Sequence, residues 1–165
     1  MNKKQKAIFL DRDGVLNKNK DDYVKNISEL EIFPFISEPI KKLQSAGFKI
    51  IVITNQSAIN RGLMNEKHLN EIHEKIQSFL IPHNAKIDSF YYCPHTPAEN
   101  CSCRKPKTGL LLKAIDDFSI DVNNSWFIGD RDSDIQAGRS AGCKTLKIQH
   151  DFNLEKAVDL ILKSI

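Results

Sequence analysis

The chain has 165 residues, 41% hydrophobic and 27% charged, a composition that fits one soluble domain and excludes a disordered chain. Its net charge of +3 lacks the basic stripe of a nucleic-acid binder, so a small phosphorylated partner is expected and no nucleic acid. Apolar runs such as Ile50-Ile51-Val52-Ile53 fall far short of the ~20 residues that cross a bilayer, and residues 7–10 make too short a signal core, so a cytoplasmic monomer with no membrane partner is expected.

In chain order, residues 7–10 read as a buried strand running into Asp11-Arg12-Asp13-Gly14. Ser37 is expected to cap a helix with Pro39 in its first turn and Gly47 beyond its end. Residues 48–53 form a second strand, apolar on both faces, that ends at Thr54. Asn65 caps a helix carrying Leu69, Ile72, Ile76 and Leu80, and residues 87–93 form a third strand. Thr108 caps the next helix, 125–129 is a fourth strand, 134–141 a helix, 143–148 a fifth strand, and Asn153 caps a last helix. Strands alternating with helices predict an α/β fold with a doubly wound, Rossmann-like, mostly parallel sheet, built as one domain over 1–165.

Ligands of such sheets bind beyond the C-terminal strand ends, and polar residues cluster there: Asp11 and Asp13 after strand one, Thr54 after strand two, Asp130 after strand four. A lone Asp-x-Asp is more often a turn or cap; its combination with Thr54, Lys105 and Asp130 reverses that balance. Carboxylates this close repel unless a cation compensates, and an all-oxygen set of few ligands suits Mg²⁺. A hydroxyl, an ammonium and a divalent cation beside a carboxylate make a phosphoryl-transfer site, with Asp11 attacking phosphorus and Asp13 exchanging the proton. Cys93, His95, Cys101 and Cys103 supply three thiolates and an imidazole, a closed tetrahedral set for structural Zn²⁺ in a loop over 93–103. His68, His73, His83 and His150 read as surface or helix-face residues rather than ligands.

The segments 9–17, 54–57, 103–106 and 129–134 together resemble the four motifs of the haloacid dehalogenase superfamily of aspartate-nucleophile phosphatases. The resemblance implies Asp11 as nucleophile, Asp13 as general acid and base, and Thr54 and Lys105 as phosphoryl stabilisers. It implies Mg²⁺ held by Asp11, Asp130 and the Asp13 backbone carbonyl, with Asp134 as outer support and no large cap domain. The Cys/His segment is similar to that of a small bacterial branch acting on D-glycero-D-manno-heptose 1,7-bisphosphate or on histidinol phosphate. Asn55, Gln56, Ser57, Arg61, Arg104 and Arg131 are expected to bind substrate. The 54–62 loop resembles the heptose form, which favours cleavage of the 7-phosphate, while zinc-loop length and Arg131 resemble the histidinol form. Two other readings are weaker: a zinc finger lacks its flanking basic helix, and a phospho-acceptor regulator has no use for an acid at Asp13.

Overall fold

Strands that are apolar on both faces need cover on both sides, and residues 3–165, which the computed structural model describes, meet that need with a layer of helices on each face of one sheet. The elements are β1 (Lys6–Leu10), α1 (Ser37–Ser45), β2 (Phe48–Asn55), α2 (Glu66–Leu80), β3 (Ser89–Cys93), α3 (Gly109–Phe118), β4 (Trp126–Gly129), α4 (Asp132–Ser140), β5 (Lys144–Lys147) and α5 (Leu154–Lys163). The strand order is β3-β2-β1-β4-β5 and every pairing is parallel. Side-chain alternation divides β1 between two cores. Ile8 and Leu10 pack with Ile40 and Leu43 of α1, Ile72 and Ile76 of α2, and Val158 and Ile161 of α5. Ala7 and Phe9 pack with Leu111 and Ala114 of α3 and Ala137 of α4.

β1 is central, with Ile8 opposite Ile50 of β2 on one side and Trp126 of β4 on the other. The chain leaves it in one direction and later returns on the other side, so the crevice beyond Leu10 is the switch point of the sheet. No helix among the described residues is long and apolar enough to cross a membrane.

Several boundaries differ from the sequence reading. Ser37 is the first helical residue rather than the cap; the buried Ile36 occupies the cap position and makes no side-chain cap bond. Burial of Ile36 in the core decides where α1 begins. Thr108 stands at the cap of α3 without a side-chain bond, whereas Asn65 and Asn153 cap α2 and α5 by accepting from the backbone N–H of His68 and Lys156. β3 starts at Ser89 because the Asp88 carboxylate accepts the Ile50 N–H at 2.8 Å, taking the place of a ladder partner. β2 continues to Asn55, so Thr54 and Asn55 are held in register against Tyr92 and Cys93 of β3.

At the opposite end of the sheet, the buried Ser125 Oγ accepts from the Ala7 N–H at 2.9 Å and donates to the Asp121 carbonyl at 2.6 Å. Ser125→Ala strands a buried backbone N–H, and urea unfolding should register a loss of about 1–3 kcal/mol. A loss indistinguishable from zero would mean that water replaces the hydroxyl.

Candidate active site

Asp11 is the first residue past β1, and its backbone N–H still reaches the β4 carbonyl of Ile128 at 3.1 Å. Its Oδ1 accepts the Arg12 N–H at 2.8 Å and lies 3.0 Å from Lys105 Nζ. Burial pushes the Asp11 carboxyl up to about 7; Lys105 opposes this, and the charges of Asp134, Asp13 and Asp130 add to it. Lys105 is itself buried, with Nζ donating to the Ile53 carbonyl at 2.8 Å and to Asp134 Oδ1 at 2.6 Å. Its burial works against the ammonium, but Asp11 and Asp134 outweigh it and hold the amine above its ordinary range.

Asp134 is fully engaged, because its Oδ2 accepts the Arg131 N–H at 3.1 Å while Oδ1 takes Lys105. Asp130 is the opposite case: its Oδ1 is buried with no hydrogen-bond partner, and burial followed by the Asp134 charge raises its pKa. Oxygens of Asp11, Asp130 and Asp134 all lie within 4.8 Å of one another, a set that can hold a divalent cation. The orphaned Asp130 oxygen and the all-carboxylate chemistry fit Mg²⁺. Gly14 is required beside it: its φ is +85°, and a Cβ there would collide with the Asp130 carboxylate.

Asp13 is held from several sides. Its Oδ1 accepts from Arg12 Nη2 at 2.8 Å, Arg12 Nε at 3.3 Å and Asn17 Nδ2 at 3.0 Å. Its Oδ2 accepts from Gln56 Nε2 at 3.0 Å, and the same Gln56 nitrogen donates to Thr54 Oγ1 at 2.9 Å. Burial pushes Asp13 up, but the Arg12 charge and these hydrogen bonds win and keep its carboxyl below the usual range. Three donors fill Oδ1, so Oδ2 is the oxygen with room for a proton.

The Cys/His segment begins where β3 ends. His95 Nδ1 lies 3.3 Å from Cys93 Sγ and 3.2 Å from Cys103 Sγ, and the three sulfurs are 3.0–3.6 Å apart. A tetrahedral site with metal–sulfur bonds of ~2.3 Å has edges of roughly 3.8 Å, close to this spacing, while a disulfide would need ~2.05 Å. The four residues can hold a metal. Against its burial, the backbone N–H groups of Arg104 and Cys103 pull the Cys101 thiol down to about 6; burial pushes Cys93 up. The segment also anchors Arg104, whose N–H donates to Cys101 Sγ at 3.3 Å and whose Nη1 donates to the His95 carbonyl at 3.2 Å.

The sequence-derived residues converge, with exceptions. Asp13, Asn55, Ser57, Arg104 and Arg131 line one polar cavity of about 230 Å³ together with Asn19, Lys20, Asp21 and Tyr23. Gln56 and Thr54 lie buried beneath it, and Gln56 serves Asp13 rather than the cavity. Asn55 lines the cavity while also bonding the Lys105 peptide in both directions, at 3.2 and 3.1 Å. Arg61 is exposed and outside the cavity wall, with Nε 3.5 Å from Ser57 Oγ. A larger cavity of about 510 Å³ flanks Asp130 on another side, but Phe33, Phe35, Ile148 and Leu154 make much of its wall. Sequence reasoning missed Arg12, wholly buried; of the two places it gave His73, surface or helix face, the structure shows the second, on the buried face of α2. The spacing of His73 from Leu69, Ile76 and Leu80 was the available signal.

The raised Asp11 pKa couples metal binding to pH. The folded state holds this proton more tightly than the unfolded chain does. The resulting stabilisation of metal-free protein is complete below the ordinary carboxylate value and is lost as pH rises through about 7. Added Mg²⁺ relieves the repulsion only among ionised carboxylates, so the thermal shift it produces should be larger at about pH 8 than at about pH 5. Melting curves with Mg²⁺ and with a chelator test this, and equal shifts would contradict it.

Known phosphatases resemble the chain over most of its length. Residues 6–158 match the model of a family described as polynucleotide kinase 3 phosphatase. A D-glycero-beta-D-manno-heptose-1,7-bisphosphate 7-phosphatase of Helicobacter pylori is 38% identical over 169 residues, covering 94% of this chain and 97% of its own. A D-glycero-alpha-D-manno-heptose-1,7-bisphosphate 7-phosphatase of Campylobacter jejuni is 43% identical over 152 residues, covering 92% of this chain and 87% of its own. The crystal structure of a D,D-heptose 1,7-bisphosphate phosphatase from B. bronchiseptica, complexed with magnesium and phosphate, superposes with a TM-score of 0.90 at 29% identity, over 97% of this chain and 99% of that one. The chain therefore belongs to the polynucleotide kinase 3 phosphatase family and, within the haloacid dehalogenase superfamily of phosphatases, stands among the heptose bisphosphate phosphatases.

Proposed function

We propose that the protein removes the 7-phosphate of D-glycero-D-manno-heptose 1,7-bisphosphate in a Mg²⁺-dependent reaction, through a phosphorylated Asp11. The observation that carries this reading is the cavity beside Asp13, where Lys20, Arg104 and Arg131 face a single further carboxylate, Asp21. Three cations suit a substrate that keeps a second phosphate after the first is cut, and the guanidinium fork matches phosphate oxygens. Histidinol phosphate would bring an amine toward the same cations.

Asp11 attacks phosphorus while the ester P–O bond breaks, and Asp13 gives a proton from Oδ2 to the departing sugar oxygen. Asp13 then takes a proton from water as that water attacks the phosphoryl group, which releases phosphate, frees the Asp11 carboxylate and returns Asp13 to its protonated form. At rest Asp13 is ionised under the influence of Arg12; the negative charge of a bound phosphate acts in the opposite sense and raises its proton affinity, so Asp13 takes up a proton from solvent as substrate binds and gives that proton to the leaving oxygen. Thr54 Oγ1 already accepts from Gln56, which leaves its own proton for a phosphoryl oxygen. Lys105 holds Asp11 and presents the charge that the incoming oxygens meet. Mg²⁺, held by Asp11, Asp130 and the Asp13 carbonyl, would neutralise phosphoryl oxygens and let the carboxylates stay ionised.

The reading includes one domain over 1–165 with a structural Zn²⁺ in the 93–103 loop, in a reducing cytoplasm that keeps thiols free. Support comes from the four converging ligand atoms, which would leave no open position for substrate.

Phosphate release from both anomers of the heptose bisphosphate, from histidinol phosphate and from a 3′-phosphorylated oligonucleotide tests the substrate. The bisphosphate should have the highest kcat/KM, by about tenfold or more if the second phosphate is gripped by arginine. Equal or better turnover of either competitor would overturn the choice. Asp11→Asn and Asp13→Asn should each lower kcat by about 10²-fold or more while circular dichroism stays unchanged, since neither residue packs the core. Cys101→Ser should lower zinc content from about one per chain, lower the melting temperature and raise KM through Arg104. Metal analysis that finds no zinc in reduced wild-type protein would contradict the structural site.

A further inference from the structure

Arg12 has no exposed surface, and a guanidinium in that position needs an acceptor for each end of its fork. One end is on Asp13: Nη2 and Nε both meet Oδ1, at 2.8 and 3.3 Å. The other end is on α2, where Nη1 lies 3.3 Å from Nε2 of the buried His73. Arginine can only donate, so this contact requires a neutral imidazole with its lone pair on Nε2 and its proton on Nδ1. Burial and the Arg12 charge push His73 down to about 3, consistent with a ring that stays neutral. The ring is also fixed in angle: it stacks on Phe90 of β3 with centroids 4.2 Å apart and planes inclined by 12°. The ring also borders a groove that Asn70, Glu74 and Gln77 line.

The contacts form one path from β3 through α2 to the proton-transfer carboxylate. Arg12 grips a single oxygen of Asp13 rather than both, so the angle of the guanidinium, together with Asn17 on Oδ1 and Gln56 on Oδ2, sets which way Oδ2 faces. With Nη1 released, the fork can turn to a bidentate grip and cover Oδ2, the oxygen that must carry the proton. We propose that His73 is a positioning residue for proton transfer: by holding Arg12 Nη1 it keeps Arg12 on Oδ1 of Asp13 and leaves Oδ2 to Gln56 and the leaving group. The proposal rests on Asp13 acting as the general acid.

Leaving-group dependence separates this role from a merely structural one. A sugar phosphate needs a proton on its departing oxygen, whereas p-nitrophenolate leaves without one, and kcat/KM reports only the steps through that departure. His73→Leu should lower kcat/KM for the heptose bisphosphate by about tenfold and for p-nitrophenyl phosphate by less than about twofold, a part of the 10²–10⁴ that acid catalysis supplies. His73→Gln, whose amide oxygen can reach Nη1, should restore most of the loss, and His73→Asn, which is too short, should not. If His73→Leu fails to fold, the Asn and Gln pair carries the same comparison. Equal losses on both substrates, no loss on either, or identical behaviour of Asn and Gln would overturn the proposal. Asp13→Asn measured alongside keeps the two ideas apart: if it leaves the sugar phosphate kcat/KM intact, the reading of Asp13 fails instead.

Discussion

The structure is organised around a charge imbalance at the end of β1. Asp11, Asp13, Asp130 and Asp134 come together there with two buried cations, Lys105 and Arg12. Arg12 is committed to Asp13, Lys105 is divided between Asp11 and Asp134, and Asp130 is left with an unpartnered oxygen. Four carboxylates against two cations leave an excess of two negative charges, which one divalent ion matches. Burial first, and then this crowding of carboxylates, pushes the Asp11 carboxyl up to about 7 despite Lys105. Such an arrangement is costly to bury, and the close fit of Gly14 against Asp130 shows the backbone shaped to permit it.

The strand ends were legible in the sequence because their physics is local. Continuous apolar runs gave a covered parallel sheet, and a polar residue ending such a run marks the crevice where ligands meet that sheet. Asp11, Thr54 and Asp130 were accessible this way, and Cys93 to Cys103 by the donor types within one short loop. Arg12 was hidden by its setting, between two aspartates in a segment that reads as a metal and phosphate site, where a cation looks like a solvated neighbour. His73 depends on a partner 61 positions earlier, and helical spacing alone says only that it faces inward. Gln56 looked like a substrate contact from its place after β2, yet in the fold it lies under the cavity and bonds Asp13. Ser37 had the chemistry of a cap and lost the position to Ile36, since burying an isoleucine outweighs one hydroxyl bond.

The Cys/His loop and the catalytic end of the sheet are mechanically one unit. Cys93 closes β3 and its carbonyl accepts the Gln56 N–H, so the loop is fastened at its root to the residue that supports Asp13. At its other end, Cys101 and the His95 carbonyl hold Arg104 from two directions, and the next residue is Lys105. A metal in this loop would therefore act at a distance from the chemistry but within a few bonds of both Arg104 and Lys105.

Asn55 has one more consequence. Its side-chain amide donates to the Lys105 carbonyl and accepts the Lys105 N–H, imitating one rung of a strand pairing. Lys105 is thereby indexed to β2 as though it belonged to the sheet, although no strand exists there. Chain length is fixed between Cys103 and Lys105, where one added residue would carry the amine past Asp11, but free in the exposed turn at 97–100 between the ligands. Insertions and deletions among descendants of this fold should gather in that turn and be absent from the stretch that leads from Cys103 to the lysine.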